Sequence, residues 1–118
     1  MEFKTTNADH AIIITVTGRL DTVTAPEYEK QIRALIDSGN NCFVVDFEQL
    51  DYISSAGLRV LLVMAKLLKT KAGQVCFANV NSTVYSVFEM SGFSALFKIE
   101  NSVTEALAAL ENNLNLNG

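Results

Sequence analysis

Two adjacent serines, Ser54 and Ser55, stand where a connection after a buried strand gives way to a long apolar helix. The start of a helix leaves backbone N–H groups unpaired and carries partial positive charge. A serine at this position commonly caps the helix through its hydroxyl. The same position also accepts a phosphoryl dianion well, and Gly57 leaves space beside it. The residues alone leave both roles open, with capping the more common of the two, and they leave both serines as candidates.

A phosphate at this position should change the surface of the protein and leave its fold intact. Negative charge at a helix N-terminus stabilises the helix, so the modification is not expected to unfold it. Leu58 opens an apolar stripe suited to packing on a sheet, and Val60 and Met64 belong to a second stripe. Most of that second stripe is expected to pack on a neighbouring helix. Its first turn is a candidate part of a protein-binding surface beside Ser55.

The elements that position this junction alternate between strand and helix. β-branched apolar runs with period-two or continuous patterning predict strands, and apolar spacing of three to four residues predicts helices. Thr24 and Ser102 are candidate helix caps, each followed by a glutamate three residues later. The expected order is ββαβαβαβα, with strands near 3–5, 11–17, 41–47, 74–78 and 96–99 and helices near 24–37, 55–71, 79–90 and 102–111.

This order predicts a single α/β domain with a mostly parallel sheet of about five strands and about four helices. Only the first two strands need to be antiparallel. The domain is expected over residues 1–112, followed by a frayed polar tail over 113–118.

Composition excludes several classes of protein. The 118 residues are 49% hydrophobic and 19% charged, unlike a disordered chain, and the net charge of −4 disfavours a nucleic-acid partner. Cys42 and Cys76 lie in apolar runs and are expected to be reduced core residues. No apolar stretch is long enough to span a membrane, and the first residues do not resemble a signal peptide. A cytoplasmic protein is the expectation.

Few other residues suggest chemistry. His10 lies in a predicted turn without partners for a catalytic triad or a metal site. Asp46, Glu48 and Asp51 could suggest a cation site, but loop capping is the better interpretation. No glycine-rich phosphate loop follows a strand. We therefore expect no catalytic residue, no metal and no cofactor, and a protein that is not itself an enzyme.

The segment 52–58, Tyr-Ile-Ser-Ser-Ala-Gly-Leu, resembles the phosphorylation motif of bacterial anti-sigma factor antagonists, which are single-domain STAS proteins. Further segments resemble the family in the same order along nearly the whole chain. They are Val-Thr-Gly-Arg-Leu-Asp at 16–21 with Thr24 and Ala25, Val-Asp-Phe-Glu-Gln-Leu at 45–50, Phe-Glu-Met-Ser-Gly-Phe at 88–93, and Leu-Phe-Lys-Ile at 96–99.

The resemblance implies a partner-switching function. The unphosphorylated protein would bind an anti-sigma factor that is also a serine kinase, and so free the sigma factor. Phosphorylation would release the antagonist, and a serine phosphatase would reset it. The family's phosphorylated serine corresponds to Ser55, and Ser54 stands where many members have an aspartate. The family's loop aspartate, which takes part in kinase recognition, corresponds to Asp21. We further expect partner contacts from Thr22, Ser54, Gly57 and Leu58.

Two alternatives stay open. One is a STAS subunit of a partner-switching system whose output is secretion, biofilm control or lipid transport. The other is a small flavodoxin-like ligand-binding or enzymatic domain, which predicts a pocket at the carboxyl ends of the strands. The sequence does not predict the oligomeric state.

Overall fold

Strands and helices alternate around one six-stranded sheet. The computed structural model describes the backbone of residues 1–117 and the side chains of residues 1–111. The elements are β1 (Glu2–Asn7), β2 (Ile12–Leu20), α1 (Ala25–Asp37), β3 (Cys42–Asp46), β4 (Leu50–Ile53), α2 (Ser55–Thr70), β5 (Gln74–Ala78), α3 (Ser82–Met90), a 3-10 turn (Phe93–Ala95), β6 (Lys98–Glu100) and α4 (Val103–Asn117).

The sheet confirms the predicted α/β class and its mostly parallel character. The strand order is β1-β2-β3-β5-β6, with β4 paired to the end of β2. β1 runs antiparallel to β2, and the other described pairings are parallel. Parallel strands that follow one another in chain order and cross over with one hand place their helices on one face. Accordingly α1, α2 and α3 share one core, while α4 covers the other face.

The strand β4 was not predicted, and residues 48–54 were expected to be only a connection. The strand is four residues long, and its pairing with β2 shifts register between Gly18 and Arg19. A strand of this length has too few residues for a period to show, and only its tertiary pairing with β2 defines it. For the same reason β2 continues to Leu20, three residues beyond its predicted end at Thr17.

Three other boundaries differ from the prediction. α3 begins at Ser82 because Asn81 caps it, its side chain accepting a hydrogen bond from the Val84 N–H. β6 spans Lys98–Glu100, because Leu96 and Phe97 still belong to the turn that follows the 3-10 helix and both donate their N–H groups to the Phe93 carbonyl. α4 runs to Asn117, beyond the expected end near 111. The frayed tail predicted for 113–118 lies outside the residues whose side chains are described and stays a prediction.

The two apolar stripes of α2 pack as expected. Leu61 and Leu68 are buried against the sheet, and Val60 and Met64 of the second stripe are buried too. The Tyr28 hydroxyl of α1 donates to the Met64 sulfur at 3.2 Å. The second stripe is therefore mostly a contact between α1 and α2, which holds the N-terminal half of α2 against α1. No helix in the described part of the chain is long and apolar enough to cross a membrane.

Both cysteines are free and buried, in agreement with the prediction. Cys42 and Cys76 lie in the core beneath α4. Burial raises the pKa of the Cys76 thiol to about 11 and also raises the pKa of Cys42. Both thiols are therefore protonated at neutral pH, as suits small apolar core residues.

Candidate functional site: the start of helix α2

Ser54 caps helix α2. Its backbone is extended, at φ −99° and ψ 175°, and its hydroxyl accepts a hydrogen bond from the Gly57 N–H at 3.2 Å. Its carbonyl accepts the first helical bond, from the Leu58 N–H at 2.9 Å. These are the bonds that a capping serine is expected to make. The capping role that the sequence left open between the two serines therefore belongs to Ser54.

Ser55 is the first residue of α2, and its side chain is exposed. Within the part of the chain whose side chains are described, its hydroxyl makes no hydrogen bond. The backbone N–H groups of the first helical turn lie beside it, and they favour negative charge. The hydroxyl of Ser55 is thus free to act as an acceptor of a phosphoryl group, whereas that of Ser54 is engaged.

The end of β2 is bound to the start of α2. The Ser54 N–H donates to the Leu20 carbonyl at 3.0 Å. Gly57 allows this approach, since a Cβ atom at that position would lie 2.5 Å from the Leu20 oxygen and 2.8 Å from Ile53 Cγ1. Because Leu20 is bonded to Ser54, the next residue, Asp21, is held close to the residue that caps α2.

The loop that begins at Asp21 is held by the carboxylate of Asp21. Its Oδ1 accepts hydrogen bonds from the N–H groups of Val23, at 3.0 Å, and Thr24, at 3.1 Å. The Ala25 N–H donates to the Asp21 carbonyl at 2.8 Å. Thr24 was predicted to cap α1, but its side chain makes no capping bond. Its hydroxyl instead donates to the Arg19 carbonyl at 2.8 Å and accepts from the Asp21 N–H at 2.9 Å.

These bonds lower the pKa of the Asp21 carboxyl. The Thr24 N–H lowers the pKa of the Asp21 carboxyl most, with further lowering from the Val23 N–H, from Arg19 and from the Thr24 hydroxyl; partial desolvation opposes the shift. The Arg19 Nε lies 3.4 Å from Asp21 Oδ2, and the Arg19 guanidinium also lies over the Tyr52 ring, 4.3 Å from its centroid. The segment that follows β2 therefore presents a fixed carboxylate beside a cation that lies over an aromatic ring.

Two cavities flank the first turn of α2. A groove of about 720 Å³ separates α1 from α2 and includes Thr22 and Ala56 in its walls. A smaller cavity of about 280 Å³ lies on the other side, lined by Ser55, Leu58, Arg59, Leu62, Ser91 and Phe93. Arg59 lines both cavities. The start of α2 is therefore a ridge between two depressions.

The structure places four of the predicted site residues around the start of α2 and the other two, Gly57 and Leu58, inside its first turn. Asp21, Thr22, Ser54 and Ser55 surround the start of α2, and Ser55 and Thr22 are exposed. Gly57 is buried between α2 and β2, so its position supports the junction, and its predicted role in partner contact stays a prediction. Leu58 is only 4% exposed and forms part of the cavity wall beside Ser55.

Sequence reasoning gave no site role to Arg59. Arg59 stands four residues after Ser55, a spacing that puts two residues on one helix face. That spacing was the available signal.

Two further polar candidates lie where the sequence predicted, Asp46 as a loop cap and His10 in a turn. Asp46 Oδ1 accepts from the Glu48 N–H and from Asn79 Nδ2, each at 3.0 Å. His10 lies in the β1–β2 turn and its Nε2 donates to the Leu107 carbonyl at 3.1 Å. Among the described residues, no group of three acidic, histidine or cysteine side chains could hold a metal ion.

The strand order bears on the flavodoxin-like alternative. Open α/β sheets bind ligands where the strand order reverses and the helices on either side diverge. Here β2, β3, β5 and β6 lie in chain order, and the three helices between them share one face. The described sheet therefore lacks the crevice that the flavodoxin-like alternative requires.

Comparisons with known proteins agree with the fold and the motif. The STAS domain family matches residues 2–106. A protein of Bordetella bronchiseptica, BtrV, named as a candidate anti-sigma factor antagonist, is 38% identical over 103 residues, which cover 87% of this chain and 89% of BtrV. The anti-sigma F factor antagonist of Paenibacillus polymyxa is 29% identical and covers 85% of this chain and 86% of its own.

Solved structures show the same fold. A candidate anti-sigma factor antagonist of Thermotoga maritima superposes with a TM-score of 0.89 at 19% identity, covering 92% of this chain and 94% of its own. The anti-sigma factor antagonist SpoIIAA in its unphosphorylated form gives a TM-score of 0.70 at 20% identity and 99% coverage of both chains. Together with the family match over residues 2–106, these likenesses establish that the chain belongs to the STAS domain family, among relatives that are named anti-sigma factor antagonists.

Proposed function

We propose that this protein is an anti-sigma factor antagonist of a partner-switching pathway. In its unphosphorylated form it binds an anti-sigma factor that is also a serine kinase, and the sigma factor is thereby freed. The kinase phosphorylates Ser55, which releases the antagonist, and a serine phosphatase removes the phosphate. The protein is the substrate of both enzymes, carries no catalytic site of its own, and acts in the cytoplasm.

The observation that carries this proposal is the division of roles between the two serines. Ser54 uses its hydroxyl and its carbonyl to cap α2, through the bonds from Gly57 and Leu58. Ser55 makes no side-chain bond to a described residue and is exposed. A kinase can therefore reach the Ser55 hydroxyl without breaking any bond of the fold.

The position of Ser55 also explains why a phosphate would act on a partner. At the first residue of α2 the dianion meets unpaired N–H groups and the positive end of the helix, so the helix is not destabilised. The same dianion adds about 1.5 to 2 negative charges at neutral pH. It would lie near the loop of Asp21, whose side chain is a carboxylate at neutral pH and has a lowered pKa. An acidic partner surface would then be repelled from this end of the sheet, and an apolar one would have to remove water from the phosphate at a cost in free energy.

The relatives support the proposal in their own right. Those named above carry the name of anti-sigma factor antagonist or of a candidate for that role, and a protein of Staphylococcus aureus that is 27% identical over 84% of this chain is named anti-sigma-B factor antagonist. SpoIIAA of Bacillus, which shares the fold with a TM-score of 0.71, has been solved in a phosphorylated form.

Mapping the phosphate tests the proposed site. The protein is incubated with ATP and a purified serine-kinase anti-sigma factor from the same bacterium, and its intact mass is measured. One phosphate should be added to the wild type and to Ser54→Ala, and none to Ser55→Ala. Phosphate on Ser54, or a failure of every such kinase to modify the wild type, would contradict the proposal.

A phosphate mimic tests the proposed mode of action. Ser55→Asp should fold with an unchanged circular dichroism spectrum, because a negative charge at this position favours the helix. It should nevertheless lose binding to the kinase. An unfolded Ser55→Asp protein would contradict the view that the modification acts only at the surface.

A further inference from the structure

The smaller cavity beside Ser55 has apolar walls and a single charged group at its edge. Leu58 and Leu62 lie one turn apart on the same face of α2 and form one wall. Phe93 forms the opposite wall, and its ring packs edge-on against Phe97 at 5.5 Å between centroids. The contact with Phe97, itself only 7% exposed, joins this wall to the core. The cavity is therefore a preformed part of the surface with a volume of about 280 Å³.

Arg59 provides the charge at this cavity. Its side chain is exposed, and it makes no ion pair or hydrogen bond with any residue whose side chain the structure describes. The two other arginines are both paired: Arg19 with Asp21, and Arg33 with Glu29 at 2.9 Å. Arg59 thus offers its full guanidinium to a group outside the fold.

We propose that this cavity and Arg59 together form a docking seat for the kinase partner, in an inference that rests on the function proposed above. The seat takes one aliphatic or aromatic side chain of the anti-sigma factor kinase into the cavity. A neighbouring carboxylate of the kinase pairs with Arg59. Two features commit the seat to this occupant: Ser55, the residue the kinase must reach, is part of the cavity wall, and Arg59 complements an acidic group.

The same seat explains release. A phosphate on Ser55 would stand at the edge of an apolar cavity, where a docked hydrocarbon side chain would remove part of its hydration. The phosphate would also lie four residues before Arg59 on one helix, within the range of i,i+4 pairing. Arg59 would then pair with the phosphate and be lost to the kinase carboxylate. Phosphorylation would therefore weaken both the apolar contact in the cavity and the ion pair between Arg59 and the kinase.

Filling the cavity tests whether a side chain of the kinase binds there. Ser91 is exposed, lies in the cavity wall and has an ordinary backbone, at φ −90° and ψ −4°. Ser91→Trp should therefore fold and place a large ring in the cavity. The matched control is Ser86→Trp, at an exposed site outside the cavity on α3, the helix that ends just before Ser91. Removal of the charge is tested by Arg59→Gln, with Lys66→Gln on the same helix as its control.

The measurement is the Kd of each unphosphorylated variant for the purified serine-kinase anti-sigma factor that binds the wild type, with melting temperatures as a check on folding. Ser91→Trp and Arg59→Gln should each weaken binding by about tenfold or more, as loss of a central interface contact does. The two controls should stay within about twofold of the wild type.

If both variants bind as the wild type does while Ser55→Asp does not bind, the docking seat is wrong and the proposed function stands. If the wild type binds no such kinase, the proposed function fails and the seat fails with it.

Discussion

The carbonyl oxygen of Leu20 accepts a hydrogen bond from the backbone N–H of Ser54 at 3.0 Å, and this bond joins the end of β2 to the start of α2. Asp21, whose carboxylate organises the following loop, is the next residue after Leu20. Ser55 is the next residue after Ser54. The two residues that the family resemblance singled out are thus held next to one backbone bond between the sheet and a helix.

Gly57 should be essential for this junction. A Cβ atom there would overlap the Leu20 oxygen and Ile53, so either β2 or α2 must shift. We expect Gly57→Ala to lower the free energy of unfolding by about 1–3 kcal/mol, as overpacking does, measured by urea denaturation. Ser55→Ala, in the same turn, should change it by no more than about 0.5 kcal/mol. A Gly57→Ala protein as stable as the wild type would contradict the close approach.

The two serines should differ in stability as well as in phosphorylation. Ser54→Ala removes the hydroxyl that accepts from the Gly57 N–H and should cost about 1 kcal/mol. Ser54→Asp keeps a capping oxygen and adds favourable charge at the helix start, so it should be at least as stable as the wild type. Thermal unfolding of the two variants measures the difference. Equal losses in both would show that the hydroxyl of Ser54 does not cap α2.

Asp21 should have a pKa below the ordinary value of an aspartate, chiefly because of backbone hydrogen bonds. Its folded pKa lies below its ordinary value, so its contribution to stability is present above that ordinary value and is lost as the pH falls through the folded pKa. An NMR titration of the Asp21 carboxyl should give a pKa below about 3.9. Arg19→Gln should leave most of the lowering in place, because the Thr24 N–H contributes more to it than Arg19 does. A return of the pKa to its ordinary value in Arg19→Gln would assign the effect to the ion pair instead.

Much of this site could be predicted from residue types and spacing. The parts that could not be predicted depend on individual hydrogen bonds in the folded protein. The helix start at Ser54–Ser55 followed from the switch to helical periodicity, whereas the choice between the serines depended on one hydrogen bond to Gly57. Thr24 was predicted as a cap because a glutamate follows it three residues later, as in a capping box. In the structure Asp21 organises that loop instead, because its carboxylate accepts from the Val23 and Thr24 N–H groups while the Thr24 hydroxyl donates to the Arg19 carbonyl.

The buried hydroxyl of Tyr28 tests the packing that holds α2 on α1. Its only described partner is the Met64 sulfur, at 3.2 Å. Met64→Leu keeps the volume but leaves the hydroxyl buried without a partner, which should cost about 1–3 kcal/mol. Tyr28→Phe should cost less, and the double variant should recover most of the loss from Met64→Leu, all measured by urea denaturation. Additive losses in the double variant would mean that the two side chains do not interact.

The central claim is that one phosphate on Ser55 controls binding to the kinase. The direct measurement compares the Kd of the purified serine-kinase anti-sigma factor for the unphosphorylated protein with its Kd for the same protein phosphorylated on Ser55. The account predicts that the unphosphorylated form binds at least about 100-fold more tightly, a difference of about 2.7 kcal/mol. Equal affinity of the two forms would contradict it.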